Sequence, residues 1–307
     1  MSTANDLVAR ASLRRVARPR SGRRTAPYLF VLPALLIVVG VVYVGIGYTG
    51  YLSTLDWDGL SPDAQSVGFS NYTQLFSDAI FWDAAWHVLV FAAITISVQM
   101  ALGFAVALLM ASAGRFTTVY KVIVFLPVIL APAATATAAR QFLDADGELN
   151  TMLRDIGVGA LAHPWLADPR TALFALAAIN IWQWTGFSAL LYQAALTQLD
   201  QSVLEAAQID GARGSRIVRS VILPQLRGTH ATLVIVGCIG ALKTFDLVYL
   251  TTGGGPGQST EFLTTYLYSQ TVDRFHVGYG AALSVVMLVI AFAMTIGQMR
   301  AYRLGEA

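Results

Sequence analysis

The stretch Tyr28–Tyr48 reads YLFVLPALLIVVGVVYVGIGY and contains no charged residue. A helix needs roughly 20 mainly apolar residues to cross about 30 Å of hydrocarbon, and this stretch is long enough. Further stretches pass the same test and run approximately Val88–Ala113, Val119–Ala139, Thr171–Leu196, Ala231–Leu250 and Ala281–Met299. The sequence therefore predicts an all-α, polytopic membrane protein with six transmembrane helices.

The composition supports a membrane fold. Hydrophobic residues make up 56% of the 307 residues, charged residues only 12%, and the mean hydropathy is +0.60. A soluble domain carries about 25% charged residues because water must wet its surface. These values exclude a disordered chain, a secreted disulfide scaffold and an ordinary cytosolic enzyme. The single cysteine, Cys238, lies in an apolar run, so neither a disulfide nor a thiolate metal site is expected.

The basic residues predict the orientation in the membrane, because Lys and Arg near helix ends stay cytoplasmic. The segment before the first span contains Arg10, Arg14, Arg15, Arg18, Arg20, Arg23 and Arg24. With that end inside, the outer side receives only Arg140, Arg154, Arg170 and Arg274. We therefore expect both termini in the cytoplasm. The predicted organisation is an Arg-rich cytoplasmic segment at 1–27, a six-helix membrane domain at 28–300 and a cytoplasmic tail at 301–307.

Sequence signals of catalysis are missing. The best approach to a phosphate-binding loop is Gly237–Thr244, but Leu242 stands where the second essential glycine belongs. The histidines His87, His163, His230 and His276 have no metal-ligand spacing. We expect no enzymatic activity, cofactor or metal on this chain, so any energy that it uses comes from a partner.

The connection between the fourth and fifth spans, Leu199–Pro224, predicts a polar helix–turn–helix. Ser202 and Glu205 have the spacing of a capping box at the start of a first short helix. Gly211 suits a left-handed turn at the end of that helix. Pro224 is expected to end the second helix and to begin the fifth span. Such a hairpin is too polar for lipid and too short to fold alone, so it either docks on another protein or lies on the surface without a partner.

This connection resembles the EAA loop of the permease subunits of ABC importers, over about residues 199–228. The matching residues are Glu205, Ala206, Ala207, Gly211, Leu223 and Pro224, while Asp210 and Ala212 fit common variants. A proline that the family often has after the Leu-Pro pair is replaced by Gly228. The resemblance implies that the loop is a coupling helix in a cleft of an ATP-binding subunit, with Glu205 and Gly211 shaping the docking turn and Ala206 and Ala207 allowing close contact.

Three other segments are similar to carbohydrate-uptake permeases of the maltose and glycerol-phosphate type. They are Gly147–Leu153, Trp182–Trp184 followed by Phe187, and Phe245–Asp246 leading to Leu250–Pro256. The resemblance covers roughly residues 28–300. It implies a bacterial inner-membrane subunit that passes a sugar or oligosaccharide inward. The expected partners are a second permease, an extracytoplasmic solute-binding protein and two ATP-binding subunits that hold ATP and Mg.

The identity of the solute stays open at this point. A glycerol phosphate or a polyol fits the same importer class, and a self-sufficient channel or secondary transporter is a rival of another class. The polar residues within spans are the candidates for the substrate pathway, namely Asn180, Gln183, Trp184, Lys243 and Asp246. Lys243 and Asp246 are expected three residues apart on one helix, where they either contact solute or form a structural ion pair. Pro127 and Pro132 are expected to break the third span near that pathway.

Overall fold

The structure, a computed structural model, describes residues 26–112, 114 and 117–304. The predicted Arg-rich segment, apart from its last two residues, lies outside the described residues, and so do residues 305–307 of the predicted tail. The predicted tail begins within a helix that continues to Leu304 rather than as a separate segment. The chain divides into two units, at 1–48 and 49–307, and the packing below concerns the second.

Helices make up most of the described chain. Helix α1 (Ala26–Ile37) continues through the π-helical segment Val38–Tyr43 into α2 (Val44–Leu52). A two-stranded antiparallel ribbon follows, formed by β1 (Leu55–Asp56) and β2 (Gln65–Ser66). The next helices are α3 (Ser70–Ser77), α4 (Ala79–Ser112), α5 (Thr117–Ile129), α6 (Pro132–Phe142), α7 (Glu148–Asp155) and α8 (Ala172–Leu196), with a 3₁₀ turn at Gly159–Leu161.

The second half of the chain contains shorter helices and one long one. They are α9 (Gln201–Ile209), α10 (Ser215–Ile217), α11 (Leu223–Gln225), α12 (Arg227–Leu242), α13 (Asp246–Thr251), α14 (Leu263–Tyr268) and α15 (Val277–Leu304). The π-helical segments Val218–Ile222 and Ser269–Asp273 follow α10 and α14 directly.

The predicted helical membrane fold is confirmed, but two of its spans are broken. Within the described residues, four helices are long and apolar enough to cross a membrane: Phe30–Leu52, Ala79–Ser112, Ala172–Leu196 and Val277–Arg300. Two bent pairs also qualify if each counts as one span, which gives up to six. These pairs are Thr117–Ile129 with Pro132–Phe142, bent by 92°, and Ser215–Gln225 with Arg227–Leu242, bent by 66°.

The third span breaks at Pro132 and not at Pro127. Ala131 takes the extended conformation that a following proline favours, with ψ at 132°, and Pro132 begins α6 where its missing N–H costs nothing. Pro127 lies inside the last turn of α5. The prediction of a proline break is therefore correct for one of the two prolines.

The fifth span was predicted to run through to Leu250, and this is wrong. Helix α12 ends at Leu242, residues Lys243–Phe245 leave the helix, and α13 begins at Asp246. The hydroxyl of Thr264 donates a hydrogen bond of 2.5 Å to the carbonyl oxygen of Thr244. This bond satisfies a carbonyl group that a continuous helix would otherwise pair within itself.

The core lies where α4 packs along α8. Phe91 on α4 meets Phe262, before α14, in an edge-to-face contact with ring centroids 5.1 Å apart, and both are buried. Helix α13 packs on α6, and α12 packs on α4 and α15. Only 33% of the most apolar stretch of α4 is buried within the protein. The remaining apolar surface therefore faces lipid or another subunit rather than water.

Candidate functional site: a cavity at two helix breaks and an exposed loop

A cavity of about 290 Å³ lies between α4, α8 and α12, next to the breaks in the third and fifth spans. Pro132 lines it at the first break, and Lys243–Leu247 line it at the second. All the residues that the sequence suggested for a substrate pathway border this one cavity: Asn180, Gln183, Trp184, Lys243 and Asp246. In transporters with discontinuous helices, solute sites lie at such breaks.

Amide side chains form one wall of the cavity. The Nε2 of Gln99, on α4, donates to the carbonyl oxygen of Asn180 at 3.1 Å and to its Oδ1 at 2.9 Å. The Nε2 of Gln183 donates to the carbonyl oxygen of Leu130 at 3.2 Å and to Oγ1 of Thr135 at 3.3 Å. Gln183 therefore binds the backbone group that the break before Pro132 leaves free.

Gln99 and Thr135 were not among the pathway residues predicted from the sequence. Gln99 is a buried amide inside an otherwise apolar span, which is a usable signal of an internal polar contact. Thr135 carried no such signal, because threonine is common in membrane helices and bonds to its own backbone. Thr135 meets Gln183 of α8 only because the third span breaks before α6.

Lys243 and Asp246 form the charged part of the lining, and the predicted helical pairing between them is wrong. They flank the segment between α12 and α13, so they do not lie on one helix. Among the described residues, the ion pairs within 4.0 Å are Arg154–Asp146 and His163–Asp168. The side chains of Lys243 and Asp246 are exposed, and neither makes a hydrogen bond within the part of the chain that the structure describes.

Aromatic rings complete the lining. Phe91, Trp184, Phe187 and Phe245 border the cavity. The rings of Trp184 and Phe187 meet edge to face with centroids 6.4 Å apart, and Phe245 stacks on Tyr249 at 5.0 Å. Rings held in this way offer fixed apolar faces beside the amides and the charges. Within the described ranges, no three His, Cys, Asp or Glu side chains are grouped closely enough to hold a metal ion.

The loop that resembles the EAA segment forms the predicted helix–turn–helix, with a different cap. Asp200, not Ser202, is the N-cap of α9, and its carboxylate accepts from the N–H of Ser202 at 2.9 Å. Asp200 is extended at φ −69° and ψ 115°, which points its side chain back at the first free N–H groups. Ser202 lies inside the helix. The pKa of Asp200 is lowered by the hydrogen bonds from Ser202.

The turn after α9 depends on Gly211. Its φ is +83°, which confirms the predicted left-handed turn. The N–H of Ala212 closes the helix end by donating to the carbonyl oxygen of Ala207 at 2.9 Å. On α9 the side chain of Ile209 is 86% exposed, and Val203, Glu205 and Ala206 are exposed as well.

The second half of the loop is helical but not one regular helix. It passes from α10 through the π-helical segment Val218–Ile222 into α11, which contains Leu223 and Pro224. Pro224 does not begin the fifth span as predicted, because the chain turns at Leu226 and α12 starts at Arg227. Leu226 is buried and packs with Tyr192 and Leu233, so this turn is anchored in the bundle.

Polar side chains also hold the chain together outside the spans. Asn150, 1% exposed, donates to the carbonyl oxygens of Asp144, Ala145 and His163, and so holds the segment between α6 and α8 together. Glu261, before α14, accepts from the hydroxyl of Thr265 at 2.7 Å. Burial raises the pKa of Glu261 above its ordinary value, although the bond from Thr265 opposes the shift.

One family matches more than half of the chain. The sequence pattern described as the inner membrane component of binding-protein-dependent transport systems covers residues 114–301. The chain belongs to this family. It is a multi-pass permease subunit of an ABC importer, and it is a transport subunit rather than an enzyme.

Relatives match the permease over nearly its whole length. A probable ABC transporter permease protein of Bacillus subtilis, YurN, is 30% identical over 283 residues, which cover 91% of this chain and 97% of the relative. The sulfoquinovosyl glycerol transport system permease protein SmoG of Agrobacterium fabrum is 31% identical over 286 residues and 92% of each chain.

A solved structure shares the fold of the permease. It belongs to a bacterial ABC transporter involved in the import of the acidic polysaccharide alginate. The TM-score is 0.78 at 21% identity, and the match covers 91% of this chain and 95% of the other. At this identity the similarity establishes the fold alone.

Proposed function

We propose that this permease passes a sugar or oligosaccharide inward through the cavity at the two helix breaks. The observation that carries the proposal is the lining of that cavity, where amides, two opposite charges and fixed aromatic rings meet. Sugars present hydroxyl groups and apolar C–H faces, and such a lining offers partners for both. The solute named for the Agrobacterium relative, a sulfoquinovosyl glycerol, supports the carbohydrate class.

In this proposal the pathway residues have separate roles. Gln99 holds Asn180, and Gln183 holds the break before Pro132, so both amides keep the wall in place. Trp184 offers a ring for the sugar face. Lys243 and Asp246 contact solute hydroxyl groups. A glycerol phosphate or a polyol in the same importer remains the alternative solute.

The second part of the proposal concerns the coupling of transport to ATP. Helix α9 and its turn dock in a cleft of an ATP-binding subunit, where Glu205, Asp210 and Gly211 shape the turn. Ala206, Ala207 and Ala212 allow close contact, and Leu223 and Pro224 continue the joint into the bundle through the buried Leu226. The exposed Ile209 supports docking, because an apolar side chain on a polar hairpin gains free energy when a partner covers it.

The proposed assembly contains a second permease, two ATP-binding subunits that hold ATP and Mg, and an extracytoplasmic solute-binding protein. The family description supports the last of these, since its members depend on a binding protein. The apolar surface that α4 leaves exposed gives a second permease somewhere to pack. No cofactor is assigned to this chain.

Purification in mild detergent from the native membrane tests the assembly. We expect mass spectrometry to find an ATP-binding subunit, a second six-span chain and a binding protein whose bound ligand identifies the solute. A chain that is isolated alone and moves solute in liposomes without ATP would contradict the proposal. A channel or secondary transporter would then replace it.

Two substitutions test the coupling loop within the assembled importer. Glu205→Lys reverses a charge on α9, and Gly211→Pro forbids the φ of +83° because proline fixes φ near −65°. We expect ATP-driven uptake to fall about tenfold or more, within the range of typical coupling energies, while membrane insertion survives.

The matched controls are Glu148→Lys and Gly157→Pro. Glu148 is an exposed glutamate in the first turn of α7, and Gly157 has φ +81° with open space around it, as Gly211 has. These controls should keep uptake near the wild-type rate. Equal losses in the controls and the loop variants would count against a specific coupling role.

A further inference from the structure

The Nε2 groups of Gln99 and Gln183, in the amide wall, are already used within the protein. The Nε2 of Gln99 is bonded to Asn180, and the Nε2 of Gln183 is bonded to Leu130 and Thr135. These bonds hold the wall in one arrangement. The charged groups of the lining remain available to a solute.

Lys243 and Asp246 supply those groups. Both border the cavity, both are exposed, and within the described residues neither side chain has a hydrogen bond or an ion pair. The break at Thr244 keeps them off a common helix, and the bond from Thr264 stabilises that break. The cavity thus presents an ammonium group and a carboxylate that do not neutralise each other by direct contact.

The two groups have opposite and exclusive hydrogen-bonding roles. An ammonium group only donates, and an ionised carboxylate only accepts. A hydroxyl group does both, so two neighbouring hydroxyl groups of one solute satisfy both side chains at once. An anionic group on the solute gains from Lys243 but is repelled by Asp246, and a cationic group meets the reverse situation.

We infer that Lys243 and Asp246 bind adjacent hydroxyl groups of an uncharged polyhydroxylated solute, and that they make this cavity selective for carbohydrate units without a charged group. The inference rests on the proposed function and narrows its substrate class. It separates neutral sugars and polyols from phosphorylated or acidic solutes. The aromatic lining contributes to the same class, because Trp184 and Phe245 offer apolar faces and no charge.

Uptake of matched neutral and anionic probes tests this selectivity. The complete importer, with its own binding protein and ATP, is reconstituted in liposomes and supplied with radiolabelled galactose or galacturonate, maltose or maltobionate, and glycerol or sn-glycerol 3-phosphate. We expect the neutral member of at least one pair to be carried, with its anionic partner carried about tenfold less or worse. This comparison needs no variant, so it does not depend on a variant folding.

Substitutions then assign the selectivity to the two residues. Asp246→Asn and Lys243→Gln should each raise the KM for the neutral probe about tenfold or more, the effect of one lost charge-assisted hydrogen bond. Asp246→Asn should also increase uptake of the anionic partner relative to the neutral one. Because the binding protein is the same throughout, a change in this ratio reports on the permease.

The controls are Asp273→Asn and Lys121→Gln, which remove exposed charges that do not line the cavity. They should leave both the KM and the ratio of neutral to anionic uptake unchanged. Assembly of every variant with the ATP-binding subunits is checked by co-purification.

Preferred uptake of an anionic partner by the wild type would overturn the inference and leave the proposed importer standing. The inference would also be overturned if Asp246→Asn and Lys243→Gln both left the KM and the ratio of neutral to anionic uptake unchanged. Uptake of none of the six probes, by an importer that hydrolyses ATP, would overturn the carbohydrate proposal and the inference with it. Uptake by this chain without ATP-binding subunits would contradict the proposed function itself.

Discussion

At the scale of single residues, Asp78 joins three helices. It precedes α4, and its Oδ2 accepts hydrogen bonds from the hydroxyl of Tyr279 on α15, at 2.7 Å, and from that of Tyr266 on α14. Its Oδ1 accepts from the N–H of Ile80 at 2.9 Å. Burial raises the pKa of Asp78, but the bonds from the two tyrosines and Ile80 lower it by more, so the pKa lies below its ordinary value.

The lowered pKa predicts how this contact depends on pH. An acid whose pKa is lowered by folding stabilises the protein above its ordinary pKa, and this stabilisation is lost as pH falls through the folded value. We expect Asp78→Asn to lower the free energy of unfolding at pH 7 by about 1–3 kcal/mol, since bonds to a charged acceptor are lost. The deficit should narrow below about pH 4, where the wild-type carboxylate takes up its proton.

Thermal unfolding of the purified chain in detergent, followed from pH 7 downward, measures this difference. Asp83→Asn is the control, because Asp83 is exposed and lies on α4, the helix that Asp78 precedes. It should unfold like the wild type at every pH. A deficit for Asp78→Asn that stays constant below about pH 4 would contradict the assigned role of its charge.

At the scale of elements, glycines allow helices to pack against backbone. A Cβ on Gly186 of α8 would lie 2.2 Å from the carbonyl oxygen of Val124 on α5, and a Cβ on Gly103 of α4 would lie 2.6 Å from the Cβ of Ser188 on α8. Helix α8 is therefore held close to both neighbours by small residues, as is common in membrane bundles. The same closeness lets Gln183 reach the break before α6.

We expect Gly186→Ala to separate α5 from α8 and to lower the free energy of unfolding by about 1–3 kcal/mol, as in other overpacked cores. Gly297→Ala on α15 is the matched control, because nothing lies within 4 Å of a Cβ there. The free energy of unfolding of both variants is measured in detergent, and only Gly186→Ala should show the loss. Equal stabilities would show that α5 and α8 adjust to the added methyl group without cost.

At the scale of the whole molecule, the orientation in the membrane decides which surface meets ATP-binding subunits. The asymmetry of basic residues predicts that both termini and the α9–α11 loop are cytoplasmic. The turns around Gly157 and Gly257 are then on the outer side. The fifth span is the critical test of this prediction. Helix α12 has only 16 residues before Lys243, fewer than the roughly 20 that a helix needs to cross the membrane.

Truncated fusions to alkaline phosphatase measure the orientation, since that enzyme is active only outside the cytoplasm. We expect activity for fusions after Gly157 and Gly257, and none for fusions after Asp210 and Ala307. Fluorescent-protein fusions at the same four sites should give the opposite pattern. Matching phosphatase activity after Asp210 and Gly257 would mean that the fifth span does not cross the membrane.

The sequence by itself determined the helical membrane fold, the family and the position of the turn at Gly211. These properties depend on local physics, because apolar length decides whether a helix crosses lipid and a left-handed φ selects glycine. The proposed pathway residues were also found from sequence, as polar side chains in apolar spans, and the structure places them around one cavity. Their proposed contact with solute stays a prediction.

Only the tertiary structure decided where the spans break and which polar groups meet. The fifth helix was predicted to continue through Lys243 because nothing in the local sequence opposes a helix there. The structure breaks it, and Thr264, twenty residues away, donates a hydrogen bond to the carbonyl oxygen of Thr244 at the break. Gln99, Thr135 and Asp78 likewise gain their roles from partners on other helices. The packing of the helices decides which side chains meet, and the hydropathy of the sequence does not specify which helices pack together.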